Sequence, residues 1–194
     1  YALQEMPPFW FLGSRFLIAA ACLSLFCYKG LLHLKRQELL KGLITGSLFA
    51  LAMMTWINGL NLSQHVGESA FIVSMGIMFI PIFSRIFLKE ALPLSTYIAW
   101  PIALCGLFFL NLEPGFSLSA EWDISQFLLL TAAVLFALQF TLTAHLARSV
   151  EPILLTTMQL WVAGTIALTA AFCVEPMPSA LSNGVIANLL AAAI

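Results

Sequence analysis

The side chains able to do chemistry in this chain are few, and they sit at the edges of long apolar runs. His65, Glu68 and Ser69 stand together near the start of residues 61–90, NLSQHVGESAFIVSMGIMFIPIFSRIFLKE. A carboxylate at that place can take up and release a proton, since burial disfavours its charged form. At a helix start the same group can simply complement the helix dipole. Arg15 is the one basic residue inside an apolar run. An ionisable group at membrane depth is by default a functional candidate, the alternatives being snorkelling to the interface or pairing with Glu5 or Glu68. Asn58 and Asn61 are three apart and share a helix face, so their amides could bind a polar solute or join two helices. Trp56 and Trp100 read as interfacial anchors or as aromatic cavity walls.

Deeper in the same stretch, Ser74 and Met75 precede Gly76, with Met78 beyond, a group that suits close packing or the lining of an adaptable pocket. Pro81 removes one backbone hydrogen bond, and a kink there would let half of the helix act as a gate. Glu90 follows Lys89 at the far end, where a surface ion pair is the simplest account. Gln139 and Gln159 are the amides that look most buried in the second half, and each could contact solute or bridge helices. The set is not hydrolytic. Gly67-Glu68-Ser69 is followed by Ala70 where a nucleophile elbow needs glycine. His65 is four residues from Ser69, yet no third group accompanies them. The four cysteines, Cys22, Cys27, Cys105 and Cys173, all lie in apolar runs without metal spacing. No cofactor or metal is expected, and the chain reads as something other than an enzyme.

Composition says what must position these residues. Only 9% of the chain is charged, against 61% hydrophobic, with a mean hydropathy of +0.99. A soluble domain carries about a quarter charged residues, so this chain is an integral membrane protein. No basic excess points to nucleic acid. Apolar runs cover residues 9–27, 42–60, 66–88, 94–112, 124–146 and 153–174, and a further one begins near Val185. Each complete run is close to the ~20 residues a helix needs to cross ~30 Å of hydrocarbon. Barrel strands would be shorter and would alternate. The expected fold is all-α, a polytopic transmembrane bundle.

The linkers orient it. Lys29, Lys35, Arg36 and Lys41 fall in one loop, Arg85 and Lys89 in the next loop on the same side, and Arg148 in the one after. The intervening loops are acidic or neutral. Seven of the eight Lys and Arg residues thus lie on one side, which the positive-inside rule makes cytoplasmic.

The stretches EMPPFWFLGSRFLIAA, residues 5–20, and VEPILLTTMQLWVAGT, residues 150–165, align at a fixed offset of 144. That offset sets Pro8 on Pro152, Ala19 on Ala163, Ala20 on Gly164 and Arg15 on Gln159. A chance match of two apolar helices is the alternative. A real repeat would have about five helices, and an odd number of crossings inverts the second copy. The chain starts at Tyr1 without methionine and stops inside an apolar run, which reads as a piece of a longer protein.

With these features the sequence resembles the EamA-like branch of the drug/metabolite transporter superfamily. The resemblance is carried by residues 59–112, with Ile80-Pro81-Ile82-Phe83, then Phe87-Leu88-Lys89-Glu90, then Gly106-Leu107, and by residues 11–20 with Arg15-Phe16. Ala99 stands where the family often has glycine, and Trp100-Pro101 adds a break outside the pattern. The resemblance implies ten helices in two inverted five-helix repeats around a central cavity. Residues 1–118 would be the first repeat without its first helix, and residues 119–194 the start of the second.

The function expected is that of a secondary transporter, an exporter of small metabolites such as amino acids or drug-like solutes, working by alternating access in a bacterial inner membrane. Glu68, His65 and His145 are the titratable candidates for proton coupling. Arg15, Trp56, Asn58, Asn61, Ser74, Met75, Gln139 and Gln159 are the candidates for solute binding, and His65, Glu68, Pro81 and Glu90 for coupling or gating. A non-transporting scaffold or subunit is the rival reading, and an intramembrane enzyme a further one.

Overall fold

The structure, a computed structural model, describes residues 7–63, 66–89, 94–110 and 123–176. Every regular element among them is a helix: α1 Pro8–Phe26, α2 Tyr28–Leu32, α3 Arg36–Leu62, α4 Val66–Ser74, α5 Gly76–Phe87, α6 Leu94–Leu110, α7 Ile124–Leu146 and α8 Pro152–Val174. Five spans are long and apolar enough to cross a membrane: α1, α3, α7, α8 and the α4–α5 pair from Ser69 to Phe87. Helix α6, with 17 described residues, covers about 25 Å at 1.5 Å per residue. Large apolar side chains such as Phe26, Ile102, Phe109, Phe127 and Phe172 are more than half exposed. Water would not tolerate that surface, and a bilayer solvates it.

The helix ends follow local chemistry. Pro8 and Pro152 each stand at the first turn of their helix, where a missing N–H costs nothing and the fixed φ suits the turn. Asp123 and Gln126 cap α7 reciprocally: the Ile124 N–H donates to Asp123 Oδ1 at 2.7 Å, and the Asp123 N–H to Gln126 Oε1 at 3.2 Å. Helix α5 ends at Phe87 with Leu88 as its C-cap, and Lys89 takes a left-handed φ of 54° that stops the helix.

The chain divides into two compact units, residues 1–50 with 146–194 and residues 51–145, so that α3 contributes to both. In the first unit α1 packs on α8. A Cβ at Gly13 would sit 2.7 Å from the Leu168 side chain, and one at Gly164 would sit 2.8 Å from that of Leu17. As the α1 number rises the α8 number falls, so the two helices are antiparallel. The first half of α3 lies beside α8 in the parallel sense, with Gly42 against Met158 and Gly46 against Val162. Small residues at these crossings let backbones approach, which is how helices gain packing energy in lipid. Both directions are those the charge alternation requires.

Glu175 closes this unit. Its carboxylate accepts the Phe9 N–H at 3.0 Å and the Trp10 N–H at 3.2 Å, so the residue after α8 satisfies the first turn of α1. Those donors have no partner within the helix. Glu175→Ala is expected to cost about 1–2 kcal/mol, seen as a lower melting midpoint in detergent, with Glu175→Gln losing less because its amide oxygen still accepts. An unmoved midpoint in the alanine variant would remove this contact from the account of the fold.

In the second unit the run at residues 66–88 is not one helix. It breaks at Met75, whose N–H is shared between the carbonyls of Phe71 and Ile72, while Met78 reaches back only three residues to the Met75 carbonyl at 3.0 Å. The tightened turn falls between α4 and Gly76, a weak helix former, with Pro81 downstream. Gly76 is buried, and a Cβ there would meet the Ala133 carbonyl oxygen at 2.9 Å. The Thr141 hydroxyl lies 3.4 Å from the Ile80 carbonyl oxygen. Helices α5 and α7 therefore run side by side in the parallel sense. Helix α3 meets α7 at Gly59 and Leu129.

Candidate functional site

Three membrane segments of the second unit line an open cavity of about 260 Å³. Met53 and Trp56 come from α3, and Val73 from α4. Gly76, Ile77 and Ile80 come from α5, and Phe136, Ala137 and Phe140 from α7. The rings of Phe136 and Phe140 lie nearly parallel, with centroids 6.2 Å apart, and make one aromatic wall. The break at Met75 and the bare Cα of Gly76 matter here, because they set the start of α5 directly against the α7 backbone.

Depth follows from helix rise. At 1.5 Å per residue, Val73 and Ile80 lie about 10 and 21 Å from the start of α4, and Trp56 lies about 9 Å from the end of α3. In ~30 Å of hydrocarbon that is the middle of the span. None of the lining side chains is charged, and the Trp56 indole N–H is the one hydrogen-bond donor among them. The Ile77 carbonyl has lost its usual i+4 donor, because Pro81 carries no N–H.

The residues singled out in the sequence are spread more widely. Trp56 lines the cavity. Asn58 and Asn61 are exposed on the outer turns of α3. The Ser74 hydroxyl is turned back on its own helix, donating to the Ala70 carbonyl at 2.6 Å, and Met75 forms the break. Pro81 is half-buried in α5. Gln139 is buried at 4% exposure; its Nε2 donates to Thr143 Oγ1 at 3.1 Å, and its Oε1 has no hydrogen-bond partner.

Glu68 belongs to α4, two residues after its start. Its neighbour Ser69 is fully buried and donates to Ser63 Oγ at 2.6 Å, tying the beginning of α4 to the end of α3. Arg15, exposed on α1, and Gln159, buried on α8, belong to the first unit. His65 and Glu90 lie outside the described residues.

The residues that sequence reasoning passed over are the apolar majority of the wall: Met53, Val73, Ile77, Ile80, Phe136, Ala137 and Phe140. Their types match those of lipid-facing residues. The signal available was the glycine and proline in one apolar run, which marks a helix interrupted for packing or for a cavity.

Five helical spans long and apolar enough to cross a membrane, with a cavity along three of the membrane segments, define a polytopic α-helical membrane protein. Residues 1–112 of the 194 match the EamA-like transporter family, part of the drug/metabolite transporter superfamily, and the chain belongs to that family. No curated protein and no solved structure matches it. Family membership makes it a membrane transporter and implies transport rather than enzymatic chemistry.

Proposed function

We propose that the protein is a secondary transporter that exports a small solute by alternating access, with the cavity between α3, α4–α5 and α7 as the place where the solute rests. The observation that carries this reading is the position of the cavity. It lies near the middle of the span, on three separate helical segments, one of them broken. Carriers hold their substrates at that depth and beside discontinuous helices.

In this reading the chain holds most of a first EamA-like repeat, residues 1–118, and the start of a second, residues 119–194. The antiparallel pairing of α1 and α8, which begin at prolines 144 positions apart, supports that division. The membrane is a bacterial inner membrane. Glu68, near the start of α4, is the proton-coupling group, with His65 beside it in sequence. Pro81 lets the lower part of α5 move, and Asn58 and Asn61 meet the solute at the outer mouth. Arg15, Gln139 and Gln159 act at helix contacts that change as the carrier turns over. Uncharged drug-like solutes are the class to try first, with amino acids beside them in the same panel.

The test uses the full-length protein in liposomes under an imposed proton gradient, with a panel of labelled amino acids, nucleosides and lipophilic cations, alongside Glu68→Gln. Gradient-driven accumulation in the wild type, lost in the variant, is the expected result. Accumulation that survives in Glu68→Gln removes Glu68 from the mechanism and keeps the carrier. A folded protein that moves nothing would favour a scaffold or subunit.

A further inference from the structure

We infer that the cavity receives an uncharged aromatic group of about two fused rings carrying a hydrogen-bond acceptor, which the Trp56 indole N–H engages. The inference deepens the transporter reading and rests on it. Three features lead to this ligand class. Volume is the first. An apolar cavity of ~150 Å³ holds one benzene, so about 260 Å³ has room for a bicyclic ring.

The walls are the second feature. Phe136 and Phe140 present two nearly parallel rings from α7, and Trp56 presents an indole from α3. Aromatic solutes gain from offset-stacked or edge-on contact with such surfaces. The aliphatic remainder, Val73, Ile77 and Ile80, lines the cavity with side chains that offer no polar atom.

Polarity is the third. A carboxylate or ammonium placed among these walls would lose its hydration without gaining a partner, because none of the lining residues is ionisable. A zwitterionic amino acid group therefore has no seat inside. A single acceptor has one: the half-buried Trp56 lines the cavity, its N–H donates no hydrogen bond among the described residues, and a donor on an apolar wall gains by meeting an acceptor.

A pair of probes of equal shape isolates the donor. Naphthalene and quinoline differ by one ring nitrogen, which in quinoline accepts a hydrogen bond. Saturable binding of each is measured to the full-length protein in detergent, with Ala137→Phe as the variant whose cavity is filled. Tryptophan and tetraphenylphosphonium are added as charged competitors.

Quinoline is expected to bind roughly fivefold tighter than naphthalene, the worth of one neutral hydrogen bond. Trp56→Phe, which keeps a ring and deletes the N–H, should bring the affinities of the two probes together, the ratio between them being the quantity read. Neither charged competitor should displace them, and Ala137→Phe should abolish the saturable component. Displacement by tryptophan or tetraphenylphosphonium at quinoline-like concentrations overturns the ligand class. A quinoline preference that persists in Trp56→Phe overturns the role of the indole. If no probe binds to protein that still transports in liposomes, this inference fails and the carrier stands. If the folded protein neither binds nor transports, both fail.

Discussion

Gly76→Val is expected to destabilise the protein by about 1–3 kcal/mol, the usual cost of forcing carbon into a filled contact. The atom a new Cβ would meet is the Ala133 carbonyl oxygen, at 2.9 Å. A backbone carbonyl on a continuous helix cannot rotate away as a side-chain tip can, so α5 and α7 must separate. Separation also remakes the cavity, because Gly76 and Ala137 both line it. The melting midpoint in detergent should fall, and aromatic probe binding should fall with it.

Gly106 supplies the control. It lies on α6 with nothing within 4 Å of the position a Cβ would take. Gly106→Ala should therefore leave the protein as stable or raise its stability by up to about 1 kcal/mol, the helix-propensity gain. Equal losses at Gly76 and Gly106 would mean that the α5–α7 contact does not set the effect.

The second large effect is on transport. Ala137 is 1% exposed and lies on the α7 wall one turn from Phe140. Ala137→Phe places a third phenyl ring in a space that holds about two rings, and initial uptake rates should fall at least tenfold (about 1.4 kcal/mol in activation free energy). Protein that fails to fold would also lose activity. Val73→Phe gives a second route to the same filling from a half-buried position on α4. Two variants that melt near the wild-type midpoint and transport at the wild-type rate would place the solute elsewhere.

Much of the scaffold could be read from the residues. The apolar runs located the spanning helices to within a few residues, apart from the start of α3, which extends back to Arg36. They do so because a helix in hydrocarbon has to be apolar on all sides for about twenty residues. Lys and Arg alternation gave the sense of each crossing. The directions of α1, α3 and α8 in one unit, and of α5 and α7 in the other, agree with it. The position of the break, at Met75, was not legible. It depends on Gly76 meeting the α7 backbone, and a sequence does not show which helix a glycine faces. The Glu175 contact with α1 was equally hidden, since its partners lie 165 and 166 residues away.

The cavity shows the limit most clearly. Attention in the sequence goes to ionisable and amide groups, which are rare in lipid and costly there. The wall is instead made largely of Met, Val, Ile, Ala and Phe, types that serve equally well against lipid. Trp56 is the residue noticed in advance that also lines the cavity, because an aromatic side chain with one polar atom stands out in an apolar run. Asn58 and Asn61, two and five positions further along α3, are exposed instead.

The most direct test of alternating access uses one thiol in the cavity. Ile80→Cys is made with the three exposed native cysteines, Cys22, Cys105 and Cys173, changed to alanine and the buried Cys27 left in place. In sealed proteoliposomes of defined orientation, a membrane-impermeant maleimide is applied to one side and then to the other, with the proton gradient imposed in each direction. If the carrier alternates, the introduced thiol labels from one face under one gradient and from the opposite face when the gradient is reversed. A bound aromatic solute should protect it from both. Labelling from a single face under every condition would contradict alternating access through this cavity.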